Sequence, residues 1–220
     1  MAPWLRGCPL SSAQAERPYL PAAGRDWLLV FYDPIAKLLR TESAHRELIE
    51  QARLGPGQRV LEIGCGTGNL TLLVKTLHPG VEVVGLDPDP KALARARRKA
   101  EGRRLAVTLD RGYSDELPYP DGSYDRVLSA FMLHHLSRDE KSRTLHQVRR
   151  VLRPGGSLHV LDFGGGHGVL ARLLGISQHL RDNSRNTILA LMRDAGFVDP
   201  TEVAERGSLF GRMIYYRASR

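Results

Sequence analysis

Short apolar runs alternate with amphipathic stretches through the middle of this 220-residue chain. Runs at Arg59–Ile63, Val81–Leu86, Ala106–Asp110, Tyr124–Ala130 and Gly156–Phe163 have the length and the β-branched content of buried strands. Between them, Asn69–Thr76, Pro90–Ala100 and Arg138–Val151 repeat apolar positions every three to four residues and predict helices. Such alternation predicts an α/β fold, a parallel sheet with helices on both faces. Downstream, the pattern predicts helices near Val169–Leu180 and Thr187–Ala195, then strands at Thr201–Ala204 and Arg212–Arg217 that form a hairpin. Upstream, Asp26–Leu54 reads as helical, opened or broken at Pro34 and stopped by Gly55-Pro56-Gly57. Met1–Arg25 is rich in Pro, Ala and Ser and reads as a loose arm.

The first strand runs into Gly64-Cys65-Gly66-Thr67-Gly68-Asn69, a G-x-G-x-G turn that leads into a helix. Glycine permits positive φ and lets a ligand touch the backbone, and the helix start offers free N–H groups. The second strand ends at Asp87, about twenty residues on, where a carboxylate can accept two ribose hydroxyls. A dinucleotide loop of the form G-x-G-x-x-G would need glycine where Asn69 stands. Glu62, two residues before the first glycine, would repel a diphosphate and suits an ammonium or sulfonium. The loop therefore favours a cationic ligand carrying a ribose. In an open parallel sheet, ligands bind beyond the carboxyl ends of the strands. Glu62 to Gly68, Asp87, Gly112 to Ser114 and Ala130 to His135 all fall there.

Four blocks in order resemble the class I S-adenosylmethionine-dependent methyltransferases: Val60–Leu70, Val83–Asp89, Leu117–Val127 and Leu152–Leu158. Phe31-Tyr32-Asp33-Pro34-Ile35-Ala36 is similar to the segment that precedes the domain in the ubiquinone and menaquinone C-methyltransferases. The resemblance implies a Rossmann-like doubly wound fold. Its seven-stranded sheet would be mostly parallel, with an antiparallel last strand and a small helical lid. It divides the chain into an arm (1–25), N-terminal helices acting as lid (26–56) and the methyltransferase domain (57–220), with 164–186 as a lid insertion. S-adenosyl-L-methionine is the implied cofactor and S-adenosyl-L-homocysteine the product.

The same resemblance assigns cofactor contacts to Tyr32, Glu62, Gly64, Cys65, Gly66, Gly68, Asn69, Asp87, Pro88, Tyr113, Ser114 and Ala130. Tyr113 stands where relatives often carry an acidic residue for the adenine amino group. Asp115 lies further along. His134 and His135 are candidate general bases, since a neutral imidazole can take a proton from an acceptor hydroxyl or an acidic carbon. Each residue also has a purely structural alternative: a tight turn for the glycines, a helix cap for Asp87, a backbone-bonded ring for the histidines.

Charge and composition narrow the partners. The net charge is +8, yet the densest cluster, Lys91 to Arg104, has the pattern of a solvated outer helix, and nucleic acid is not the expected partner. No Asp-Pro-Pro-Tyr or Asn-Pro-Pro-Tyr follows the fourth strand, so base methylation is disfavoured. A small-molecule acceptor is expected, with methylation at O, C or N left open, and no metal centre. No apolar run reaches the length of a membrane span. Two cysteines, Cys8 and Cys65, make no disulfide framework, so a cytoplasmic location is expected. An RNA methyltransferase, a non-catalytic cofactor-binding protein and a nicotinamide oxidoreductase remain the alternatives.

Overall fold

The computed structural model describes residues 41–164, 185–208 and 211–220. The predicted arm, the helices before Thr41 with Tyr32, and the predicted helix Val169–Leu180 lie outside them. Among the described residues the order is α1 (Thr41–Ala52), β1 (Arg59–Ile63), α2 (Asn69–Leu77), β2 (Glu82–Asp87), α3 (Pro90–Gly102), β3 (Thr108–Arg111) and β4 (Tyr124–Ala130). A 3₁₀ turn (Leu133–His135), α4 (Arg138–Val151), β5 (Leu152–Phe163), α5 (Arg185–Asp194), β6 (Val198–Ser208) and β7 (Gly211–Ser219) complete it. The strands form one seven-stranded sheet in the order β3-β2-β1-β4-β5-β7-β6. All run parallel except β7, which is antiparallel to both β5 and β6.

Alternation along β1 sorts side chains to the two faces, as a two-residue period requires. Leu61 and Ile63 pack with Leu145 and Val148 of α4 and Ile188 and Met192 of α5. Val60 packs with Leu48 and Ile49 of α1 and Leu70 and Val74 of α2. The helices explain themselves locally. Asp89 caps α3 by accepting from Lys91 N–H at 2.8 Å, with Pro90 in the first turn. Ser137 and Glu140 form a reciprocal capping box at the start of α4.

β6 and β5 run at least four residues longer than the sequence pattern indicates. β6 spans Val198–Ser208 although Pro200 and its charges read as breakers. As the edge strand it tolerates proline, and its register shifts between Val198 and Thr201, beside Asp199 at φ 48°. β5 begins at Leu152, which pairs with Tyr124 before an irregularity passes through the Pro154-Gly155-Gly156 turn.

Strand order reverses between β1 and β4, the place where open parallel sheets form a crevice beyond the carboxyl ends of their strands. The loop after β1 approaches β2 closely because residue 85 is glycine. A Cβ there would lie 2.9 Å from Cys65 Sγ, 2.9 Å from Thr71 Oγ1 and 3.0 Å from Leu109 Cδ2. We expect Gly85→Ala to destabilise the protein by about 1–3 kcal/mol through overpacking, read as a lower urea midpoint with an unchanged slope.

Candidate functional site

The loop after β1 is held by main-chain and carboxylate bonds. Gly64, Gly66 and Gly68 have φ of +71°, +51° and +78°, a region that favours glycine. Gly64 and Cys65 N–H both donate to Leu86 O, at 2.8 and 3.0 Å. Gly66 N–H donates to Asp87 Oδ2 at 2.8 Å, and Asp89 N–H donates to Oδ1 at 2.9 Å. Asp87 thus fastens the loop to the end of β2 while its remaining lone pairs stay available. A Cβ on Gly64 would overlap the Met132 side chain, whereas a Cβ on Gly66 would meet nothing within 4 Å. The backbone at Gly66 is therefore open to a ligand.

A cavity of about 330 Å³ lies above this loop. Of the residues singled out from the sequence, Glu62, Gly64, Cys65, Gly66, Asn69, Asp87 and Pro88 line it. Tyr113, Ser114, Ala130 and His135 line it as well. Two do not. Gly68 is the N-cap of α2, and a Cβ there would come 2.9 Å from Ala96 Cβ of α3, so it serves the packing of two helices. His134 is buried behind the wall. Its backbone N–H donates to Asp162 Oδ2 at 3.0 Å and its Nδ1 lies 2.6 Å from Asp162 Oδ1. Both ties run to the Asp162 carboxylate, whereas the structural alternative had the ring bonded to backbone. The His135 ring lies 4.1 Å from that of His134, centroid to centroid. Tyr32 lies outside the described residues.

The structure also brings in residues that the sequence did not flag. Asp115 lines the cavity with its side chain 6% exposed, and it accepts from Arg143 Nη2 at 3.0 Å. The spacing had set it too far along. His45 of α1 and Phe131, Met132 and Leu136 after β4 complete the opposite wall. Phe131 has φ 54°, a strained choice for an aromatic residue. No single-residue signal marks Phe131 or His45. Only the docking of α1 against β5 reveals His45.

Electrostatics single out two groups. Glu62 is 3% exposed and takes a hydrogen bond from Thr71 Oγ1. Burial raises its pKa from 4.5 to about 8. Asp87 is 8% exposed, and burial raises it from 3.8 to about 6. Among the described residues, no lysine or arginine forms an ion pair with either carboxylate. The cost of desolvation is therefore not offset by a protein cation. A ligand with its own positive charge and a vicinal diol fits this donor set: the charge suits Glu62, the diol suits Asp87, and bare loop backbone lies between them. Burial also pushes the Cys65 thiol up, so it stays protonated and unreactive.

Residues 60–156 match the family described as methyltransferase domain. A demethylmenaquinone methyltransferase of Thermus thermophilus is 43% identical over 118 residues, which cover 54% of this chain and 53% of that protein. A second of that name, from Deinococcus radiodurans, is 39% identical over 106 residues, covering 48% and 43%. The chain thus spans about half the length of the curated relatives it matches. Phosphoethanolamine N-methyltransferase 2 of Haemonchus contortus, solved with S-adenosyl-L-methionine, superposes with a TM-score of 0.71 at 22% identity. The match covers 83% of this chain and 44% of that one, and it speaks for the fold alone. The four ordered sequence blocks and the sheet order with its single antiparallel strand agree with the match of residues 60–156 to a methyltransferase domain.

Proposed function

We propose that this protein transfers a methyl group from S-adenosylmethionine to a small molecule with a planar ring, of the quinol type, at a ring carbon. The observation that carries the methyltransferase reading is the pair of buried carboxylates, Glu62 and Asp87, facing an open glycine loop without a protein cation. The similarity to demethylmenaquinone methyltransferases supports the acceptor class.

When bound, the cofactor supplies a methyl carbon already activated by a sulfonium. The protein's part is then alignment and exclusion of water. Asp87 would accept the two ribose hydroxyls, and Gly64 to Gly66 would present backbone to the sugar and the amino-acid tail. Glu62, ionised once a cation arrives, would balance the positive charge. Pro88, Tyr113 and Asp115, at the β2 and β3 ends of the cavity, would border the base. On the other wall, Phe131, Met132 and Leu136 would shut water from the acceptor. Of the paired histidines, His135 faces the cavity and is the one placed to meet an acceptor proton. His134, tied twice to Asp162, would hold the turn that presents it.

Incubating the protein with methyl-labelled donor and fractionated cell extract tests this reading. Label should enter a lipophilic ring compound identifiable by mass spectrometry. Label in RNA, or failure of the folded protein to take up donor or S-adenosylhomocysteine in equilibrium dialysis, would overturn it. Asp87→Asn should weaken S-adenosylhomocysteine binding about 10- to 100-fold by removing charge-assisted hydrogen bonds, measured by calorimetry.

The raised carboxylates also predict a pH dependence. The folded protein holds protons on Glu62 and Asp87 that the unfolded chain releases near pH 4. Stability from these groups is therefore full at low pH. It is lost as pH rises through about 6 for Asp87 and about 8 for Glu62. The ligand-free protein should be less stable at pH 8 than at pH 5. Glu62→Gln should recover ~3 kcal/mol of that difference, seen by urea unfolding at both pH values.

A further inference from the structure

One polar group in the acceptor-side wall has no role in the chemistry above. His45 lies on α1 next to Ala44, whose carbonyl accepts from Tyr215 Oη at 3.3 Å. One turn on, Leu48 and Ile49 are fully buried in the core beneath. Arg126 Nε donates to Ala52 O at 3.0 Å at the other end of the helix. The helix is therefore pinned to the sheet along its length, and the place of His45 is set by packing.

His45 is 7% exposed and lines the cavity. Its ring stands 6.0 Å from that of Phe131, tilted by 45°, and it makes no hydrogen bond to any described residue. Burial lowers its pKa from 6.5 to about 4, against a smaller upward pull from Glu42. The ring is neutral across the physiological range, so one nitrogen donates and the other accepts. An imidazole that lines a cavity and bonds no described residue can be paired there by a ligand.

We propose that His45 is a specificity-determining residue that hydrogen-bonds a hydroxyl or carbonyl on the rim of a planar acceptor ring held beside Phe131. The inference rests on the methyltransferase reading above and adds to it the residue that selects the acceptor. Phe131, backed by Phe163 at 4.9 Å between centroids, provides apolar surface for a ring in the cavity wall. No lysine or arginine lines the cavity among the described residues. Among those residues an acceptor bearing a phosphate would find no countercharge, whereas an uncharged rim oxygen finds an imidazole that none of them engages. Such sites discriminate strongly, because the analogue that lacks the polar group leaves the protein group unpaired.

Two probes of similar shape, 1-naphthol and 1-methylnaphthalene, separate the hydroxyl from the ring. Each is titrated by fluorescence into protein loaded with S-adenosylhomocysteine. The wild-type protein should bind 1-naphthol about tenfold more tightly than its partner. His45→Phe should abolish that preference while leaving S-adenosylhomocysteine affinity unchanged. Should the Phe variant not fold, His45→Ala serves instead: it loses the preference, and free imidazole restores it. A wild-type protein without preference, or a preference that survives loss of the imidazole, overturns the proposal. Failure of the wild type to bind S-adenosylhomocysteine at all would instead sink the methyltransferase reading on which the proposal stands.

Discussion

The bond from Gly66 N–H to the Asp87 carboxylate is the constraint from which the site follows. It is charge-assisted and shielded from water, which makes it stronger than an ordinary amide bond. With the two amides that share Leu86 O, it locks a three-residue stretch of loop against the end of β2. That lock sets where α2 begins, and so where the amides of its first turn point. It also explains Gly85, two residues before Asp87, since any side chain there would push the loop off the strand. One carboxylate therefore shapes the loop and faces the cavity beside it. Substituting Asp87 should alter the site even before any ligand is considered.

Much of this was legible in the sequence because it is local. β1 and β4 and helix α4 fall at the residues that periodicity indicates, and β2, β3, α2 and α3 differ by one or two positions. The glycine turn, Glu62 and Asp87 announce themselves by residue type and spacing. What stayed hidden depends on tertiary contact. β6 carries Pro200 and a run of charges and reads as a short strand. Its pairing with β7 overrides that local preference over eleven residues. His134 and His135 are neighbours in sequence with the same chemistry. Only the position of Asp162, 28 residues away, shows that one is tied behind the wall and the other faces the cavity. Asp115 seemed too far along the chain to matter, because sequence spacing says nothing of how the segment after β3 turns back.

The electrostatic design runs against stability. Two carboxylates are buried with hydrogen bonds but no cation among the described residues, and burial raises the pKa of both in the empty protein. A core built for stability alone would pair them or replace them. Their persistence makes sense if a ligand brings the missing charge. Binding then offsets the desolvation that folding left open, and the affinity contains energy already spent in the fold. Exchanging Glu62 for its neutral isostere should consequently raise stability and lower affinity together, the usual trade at a binding site.

Phe131 shows the same logic in the backbone. Its φ of 54° costs an ordinary residue about 1–2 kcal/mol. The position is held by Phe131 N–H donating to Leu161 O at 2.8 Å and by ring contacts with Phe163 and His45. The turn it makes does two things at once. It drops Met132 into the space that the missing side chain of Gly64 leaves, and it starts the 3₁₀ turn that carries His135 to the cavity. A relaxed backbone at residue 131 would separate these two events: the methionine would leave the loop unsupported, or the histidine would miss the cavity. Strain at this point thus couples the wall that faces the donor to the wall that faces the acceptor. Places where a chain departs from its local preferences and is held there by packing are where function is expected to concentrate.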